Sequence, residues 1–379
     1  MEKYKIKIFY ISVGRSDYGI IRNGIIQLQK NPKVLCYPVI IGAHHHKKFG
    51  NTKSEIIKDK LKNSIFLKLK YLNNKKDNTN FYIEQILNKL NKITNKYKPN
   101  ICIITGDRYE MLGASLVCLN RNIPIIHFCG GSITVGSLDD SYRNIISNIS
   151  ELHFVETEKH KKQLLKKGVN KKKIYISGAP ALENIKKIKF LKKDVLFKKY
   201  KLNYKKKTII FTFHPETNID IKKNLSNLEI SINFLQRLNP EDYNIVITYP
   251  NADFGFEEII NFYKKIKNDN IFILKNLGSE NYFNLLKYAF VMIGNSSSGI
   301  IESGSFNLPV LNLGDRQKGR FRDVNVLDCK FSHDEINKKF KLITKKTFKN
   351  KMSKMRNIYS LKYNSAKFCE KIIKYFYPK

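Results

Sequence analysis

Short apolar runs recur along this chain, and each stops at polar or glycine-rich residues before a helical repeat begins. Residues 6–13 (IKIFYISV) run into GRSDY, residues 101–105 (ICIIT) into GDRYE and residues 123–128 (IPIIHF) into CGGS. Further on, residues 209–213 (IIFTF) run into HPET, residues 245–249 (IVITY) into PNAD and residues 290–293 (FVMI) into GNSSS. A strand apolar at successive positions is buried on both faces, which requires a parallel sheet with helices packed above and below it. Strands alternating with helices give the α/β class, and ligands of such sheets lie beyond the carboxyl ends of the strands. The polar turns all fall at those ends.

At 379 residues the chain exceeds a typical single core. The periodicity fades into lysine runs between residues 183 and 207 and then restarts. Two doubly wound, Rossmann-like domains facing a cleft are therefore expected, over residues 1–185 and 206–360, with a C-terminal helix at 361–379 packing back on the first. Residues 65–72 are a further candidate strand, and the chain beyond residue 327 reads as helical and basic. No short internal repeat is evident.

The formal net charge of +38 raises nucleic acid or membrane as partners. Neither is expected. The excess is lysine, spread along the chain and mixed with Asn and Ile, so it forms no segregated basic segment. Arginine is scarcer: Arg15, Arg22, Arg108, Arg121, Arg143, Arg237, Arg316, Arg320, Arg322 and Arg356. Where lysine supplies surface charge so freely, retained arginines at strand-to-helix junctions mark places that need a planar fork for phosphate. The six cysteines have no CxxC spacing and fit reduced thiols. The amino terminus reads as a strand and loop rather than a signal peptide, and no run approaches a membrane span, so a cytoplasmic protein is expected.

Residues 291–322, VMIGNSSSGIIESGSFNLPVLNLGDRQKGRFR, carry the densest set of candidate binding groups. Small residues and hydroxyls at Asn295, Ser296, Ser297 and Ser298 let an anion approach backbone N–H groups at a helix start. Glu302 follows within reach of an attached ribose, and Arg316 sits in the loop after the next strand. Together they read as a nucleoside diphosphate site. Asp107 is either a proton-transfer carboxylate or the cap of the helix beginning near Arg108, and Asp139 and Asp140 share that ambiguity. His214 can act as an acid or donate a hydrogen bond to a phosphate. The run His44-His45-His46 cannot direct all three rings at one ion, and a loop at the rim of the cleft or simple surface polarity is expected there. No Walker A or GxGxxG sequence occurs, and no metal-ligand spacing is present; neither metal nor cofactor is expected.

In order and spacing, GRSDYG, GDRYE, HFCGG, the pair Asp139-Asp140, FHPET, PNAD, GNSSSGIIE and NLGDRQKGR resemble the hydrolysing UDP-N-acetylglucosamine 2-epimerases and their relatives acting on other nucleotide-linked acetamido sugars. The resemblance implies a glycosyltransferase-B type fold, with the nucleotide held mainly by the C-terminal half. It implies nucleotide contacts at Arg15, Arg108, Asn251, Ser296, Ser297, Glu302 and Arg316, and acid/base roles for Asp107, Asp139 and His214. The implied reaction converts a UDP-linked N-acetylglucosamine and water to UDP and free N-acetylmannosamine, for sialic-acid-type sugar synthesis. The same reaction on a GDP-linked diacetamido-dideoxy sugar, and nucleotide-sugar binding without catalysis, are the alternatives; a homo-oligomer is expected. The chain departs from its relatives at Cys129-Gly130-Gly131-Ser132, where they carry HGGE or EGGE. Asp140, Glu110 and Cys129 are the candidates to replace the missing carboxylate.

Overall fold

The computed structural model describes residues 5–45, 53–70, 72, 78–251, 253–275 and 277–376, excepting the side chains of Arg15, Ser16 and residues 53–55. Two compact units emerge. One comprises Met1–Ser132, Asp139–Lys186 and Leu361–Lys379; the other comprises Ile133–Leu138 and Lys187–Ser360.

The first unit is built on seven strands: β1 (Ile6–Ser12), β2 (Val34–Ile40), β3 (Ile65–Phe66), β4 (Ile101–Thr105), β5 (Ile125–Phe128), β6 (Leu152–Val155) and β7 (Ile174–Ile176). They pair in parallel in the order β3-β2-β1-β4-β5-β6-β7. The unbroken apolar run of β1 is explained by what covers it. Ile6, Ile8 and Tyr10 enter one core, while Phe9, Ile11 and Val13 enter the core on the opposite face. The helix Ser365–Phe376 belongs to this unit and lies on the helix Arg15–Lys30. Its contact depends on a missing side chain, because a Cβ on Gly24 would sit 1.6 Å from Phe368 Cζ. Phe368 also meets the rings of Phe128 and Phe154, at 5.2 and 6.0 Å. The buried Glu183 carboxylate fixes the start of that helix, accepting from the N–H and Oγ of Ser365 at 2.9 Å each.

The second unit carries β8 (Lys207–Thr212), β9 (Tyr243–Thr248), β10 (Ile271–Leu274), β11 (Val291–Gly294), β12 (Val310–Leu313) and β13 (Val326–Cys329). These also run parallel, in the order β10-β9-β8-β11-β12-β13. One face is filled by Ile209, Phe211, Ile245, Ile247, Val291 and Ile293 against helices that contribute Leu228, Ile259 and Ile336. In each sheet the winding reverses next to the first strand, between β1 and β4 and between β8 and β11. Loops leaving neighbouring strands there diverge and leave a crevice.

Three local expectations change. Residues 183–207 are not a bare linker but include the helices Leu182–Lys187 and Lys193–Lys199. Among the described residues of the run 65–72, only Ile65–Phe66 are strand. Residues 326–329 form β13, an edge strand whose VLDC sequence is too short and too exposed to show an alternating pattern. All six cysteines are free, and all but Cys129 are buried. Among the described residues no helix is long and apolar enough to cross a membrane.

Phe368→Ala would open a cavity between the C-terminal helix and the sheet. A loss of about 3–5 kcal/mol in unfolding free energy is expected by chemical denaturation.

Candidate active site

In the first unit β4 ends at Thr105, and Gly106, with φ +80°, turns the chain so that Asp107 and Arg108 leave the sheet at the winding reversal. His127 on β5 steadies this turn. Its Nε2 donates to the Gly106 carbonyl at 2.8 Å and its Nδ1 accepts from Ser147 Oγ at 3.1 Å. Burial pushes the His127 pKa down to about 4, so the ring stays neutral and serves as a strut. Asp107 does not cap the following helix Tyr109–Asn120, whose N-cap residue is Arg108. Its carboxylate is instead gripped by Nη2 of Arg143.

Arg143 is almost entirely buried and gathers this region. Its Nη1 donates to Asp140 Oδ1 and to the Ser132 carbonyl, at 2.9 Å each. Burial disfavours the guanidinium charge, but Asp107 and then Asp140 outweigh it and hold the pKa above its ordinary value. Asp139 opens the helix Asp139–Asn148 and is half-buried beside this cluster. Glu110, one candidate for the absent carboxylate, is tied to Arg108 by a two-pronged pair at 3.1 and 3.3 Å. Asp140, another, is committed to Arg143. Cys129 is half-buried with φ +67°, a left-handed conformation uncommon for a residue with a side chain.

At the neighbouring end of β1, Asp17 is buried and accepts from Ser12 Oγ, the Val13 N–H and the Gly14 N–H, at 2.8, 2.9 and 2.7 Å. His44 Nε2 completes the group, 2.9 Å from Ser12 Oγ. His44 is thus an interior ring, not surface polarity. His45 bonds the Ile40 carbonyl at 2.9 Å. His46 and the Arg15 side chain lie outside the described residues.

In the second unit Asn295 connects three loops. Its Oδ1 accepts from the His214 N–H at 2.7 Å and its Nδ2 donates to the His214 carbonyl at 2.8 Å, joining the ends of β8 and β11. Its own carbonyl accepts from Arg316 Nη1 at 3.3 Å and Gln317 Nε2 at 3.0 Å, which draws in the loop after β12. Gly294 lets the strands close this far, since a Cβ there, at φ +132°, would lie 2.0 Å from the Thr212 carbonyl. The His214 imidazole is oriented by the Asn251 N–H, which donates to Nδ1 at 3.0 Å. The proton of the neutral ring is therefore on Nε2, the nitrogen then able to donate. Arg316 Nη2 pairs with Asp253 Oδ2 at 3.1 Å. The buried Glu216 carboxylate accepts the Asp315 and Arg316 N–H groups at 3.1 and 3.2 Å, shaping the start of the same loop.

Ser296 and Ser297 follow Asn295 directly and are partly exposed. The helix after them is a single turn, Ser298–Ile301, passing into a 3-10 turn at Ser303–Phe306. An anion here meets local N–H groups and hydroxyls, not the dipole of a long helix. Glu302 closes that turn. The segment Ile133–Leu138, although it follows β5 in sequence, lies on this unit. Val135 N–H donates to the Lys318 carbonyl at 3.0 Å and Leu138 N–H to Thr217 Oγ1 at 3.2 Å, while a Cβ on Gly136 would lie 2.5 Å from the Asp315 carbonyl.

The sequence profile described as UDP-N-acetylglucosamine 2-epimerase matches residues 26–376. The chain belongs to this family. It is 35% identical over 349 residues to a GDP/UDP-N,N'-diacetylbacillosamine 2-epimerase (hydrolyzing) of Campylobacter jejuni, spanning 91% of this chain and 89% of the relative. It is 31% identical over 334 residues to a UDP-N,N'-diacetylbacillosamine 2-epimerase (hydrolyzing) of Legionella pneumophila, spanning 87% and 86%. In fold it matches a crystal structure of UDP-GlcNAc 2-epimerase from Neisseria meningitidis bound to UDP-GlcNAc, with a TM-score of 0.81 and 19% identity over 97% of this chain and 100% of that one. The glycosyltransferase-B type fold and hydrolysing nucleotide-sugar 2-epimerase membership are as the sequence motifs imply.

For this family member the motif residues fall into two groups, one in each unit. Asn295, expected beside an anion, instead ties the ends of β8 and β11 together. Arg143, Asp253 and Glu216, which orient the candidate residues, carry no local sequence signal beyond the scarcity of arginine and membership of the PNAD and HPET turns.

Burial pushes the Asp17 carboxyl up from an ordinary 3.8 to about 6, against donors from Ser12 and Val13 that pull it down. The folded state therefore holds this proton more tightly than the unfolded chain, and its contribution to stability is present at low pH and lost as pH rises through about 6. Denaturation across pH 4–7 should show up to about 3 kcal/mol of such loss, absent in Asp17→Asn.

Proposed function

We propose that this chain is a hydrolysing 2-epimerase that converts a nucleoside diphosphate-linked acetamido sugar and water to the free 2-epimeric sugar and the nucleoside diphosphate. The observation that carries the reading is the lock around Asn295, which holds a donor-competent His214, the Ser296-Ser297 turn and Arg316 in one group. Such a group suits a diphosphate that gains charge as it departs.

In this reading Arg316, Ser296 and Ser297 hold the diphosphate and Glu302 takes the ribose, with Arg15, Arg108 and Asn251 as further nucleotide contacts. A carboxylate removes the sugar C2 proton while the C1–O bond to the diphosphate breaks, leaving a C1–C2 double bond. His214 Nε2–H lies on a residue suited to donate to the leaving oxygen. Water then adds its hydroxyl at C1, and C2 is reprotonated from the opposite face. Two proton-transfer groups are required. Arginine-bound Asp107 suits the base, and Asp139, at the start of the neighbouring helix, suits the returning acid. Neither Asp140 nor Glu110 is offered that role, because each is already paired with an arginine.

The substrate we propose is a UDP- or GDP-linked sugar bearing two acetamido groups. Support comes from the names of the Campylobacter jejuni and Legionella pneumophila relatives, and from Ser132, a buried hydroxyl where other relatives place a carboxylate. UDP-N-acetylglucosamine is the second reading, supported by the description of the family and by a 25% identical Neisseria meningitidis relative that carries that name.

Purified protein incubated in deuterated water with each of the three nucleotide sugars decides between them by NMR. The expected outcome is a free 2-epimer carrying deuterium at C2, plus free UDP or GDP, fastest with a diacetamido substrate. His214→Asn should lower kcat by about 100-fold or more. Folded protein that releases no nucleoside diphosphate from any of them would refute the assignment.

A further inference from the structure

The loop after β9 reaches two groups of the proposed diphosphate site at once. The Asn251 N–H sets the tautomer of His214, and two residues on, Asp253 Oδ2 holds Arg316 Nη2 at 3.1 Å. We infer that Asp253 is a positioning residue for the diphosphate, acting through Arg316; the inference rests on the functional reading above.

Arg316 has a long side chain with many rotamers, and holding it in one of them costs entropy that ligand binding would otherwise have to supply. Here both ends of its guanidinium fork are fixed beforehand. Nη1 is bound to the Asn295 carbonyl at 3.3 Å and Nη2 to Asp253 at 3.1 Å. The backbone beneath is held too, by Glu216 Oε1 on the Arg316 N–H at 3.2 Å. Of these three anchors only Asp253 carries charge directly opposite the guanidinium. It is 8% exposed and Arg316 13%, so the pair is weakly screened by solvent. A backbone carbonyl at 3.3 Å cannot by itself keep a cation from swinging toward water. Removing Asp253 frees that swing while Asn295, His214 and Glu216 keep their own bonds.

Sequence placement supports a role beyond packing. Asp253 precedes Phe256, the first residue of the helix Phe256–Tyr263, and its carbonyl already accepts the Phe256 N–H at 3.2 Å. That backbone bond survives any change of side chain. The carboxylate is directed to a loop on another strand, more than sixty residues away in sequence, where its partner is the arginine proposed above to hold the diphosphate.

The test is a double-mutant cycle on the full chain, read by titration with UDP and GDP, with uridine and guanosine as phosphate-free controls. Arg316→Ala should weaken the preferred diphosphate about 10-fold or more and leave its nucleoside unaffected. Asp253→Ala should do nearly the same alone, and add nothing in the Arg316→Ala background. Asp253→Asn, which retains an acceptor for Nη2 but not the charge, should recover only part of the loss. In turnover, Asp253→Ala should raise KM about 10-fold with a smaller change in kcat. Asp253→Ser is too short to reach Arg316 and carries the same expectation if the alanine variant does not fold. Wild-type protein that binds neither diphosphate would overturn the functional reading and this inference with it. An effect of Arg316→Ala without one of Asp253→Ala, or additive losses in the cycle, would overturn this inference alone.

Discussion

The second unit depends on one exchange of hydrogen bonds, between the Asn295 amide and the backbone of His214. Both partners of this exchange are buried, and the amide satisfies the N–H and the carbonyl of a residue just past β8. An asparagine side chain is the shortest group that presents donor and acceptor in the geometry of a peptide, so it acts as a piece of sheet beyond the point where β8 and β11 stop pairing. The consequence is that the two loops at the winding reversal cannot move independently. Gly294 is the condition for it, because the close approach of Thr212 excludes any side chain one residue earlier. Arg316 and Gln317 then read the same residue through its carbonyl, and a third loop joins.

The first unit uses charge where the second uses an amide. Arg143 satisfies two carboxylates and a carbonyl from a fully buried position. A buried guanidinium without partners would be prohibitive, and two carboxylates side by side would repel; each fault is the remedy of the other. The same logic recurs at Arg108 with Glu110 and at Arg316 with Asp253. Each of these arginines lies just after a strand, and each has a carboxylate that fixes its orientation. Lysine, a compact charge on a flexible stem, cannot satisfy the divergent acceptors that these forks meet. That is a physical reason for arginine at these positions in a chain whose cationic residues are otherwise mostly lysine.

Much of the fold was legible because both sheets are parallel and covered on both faces, which forces apolar runs such as that of β1 to be continuous. The polar turns were legible for the same reason: they are where the runs break. What was not legible follows from distance and from length. The pairing of Asp107 with Arg143 spans residues 36 apart in sequence, and nothing local distinguishes a capping aspartate from one gripped by a distant arginine. The segment Ile133–Leu138 reads as part of the first unit from its position in the chain, yet it lies on the second. Its glycine and serine are there because Gly136 must fit against the Asp315 carbonyl and Ser137 against Thr217, 3.4 Å away. Such a loop has no period for a sequence reading to detect. The inward turn of His44 has no sequence signal for a related reason, since a histidine run does not show which ring faces the interior.

The pairing of Arg316 also bears on how a hydrolysing enzyme must treat its nucleotide. In the proposed reading, an arginine that had to be ordered as the diphosphate arrived would surrender part of its interaction to that ordering, whereas Arg316 is already held by Asp253 and the Asn295 carbonyl. In a chain with a net charge of +38, general attraction for an anionic substrate is already abundant. Directed charge is the scarcer property, and the buried carboxylates beside its strand-end arginines are what provide it.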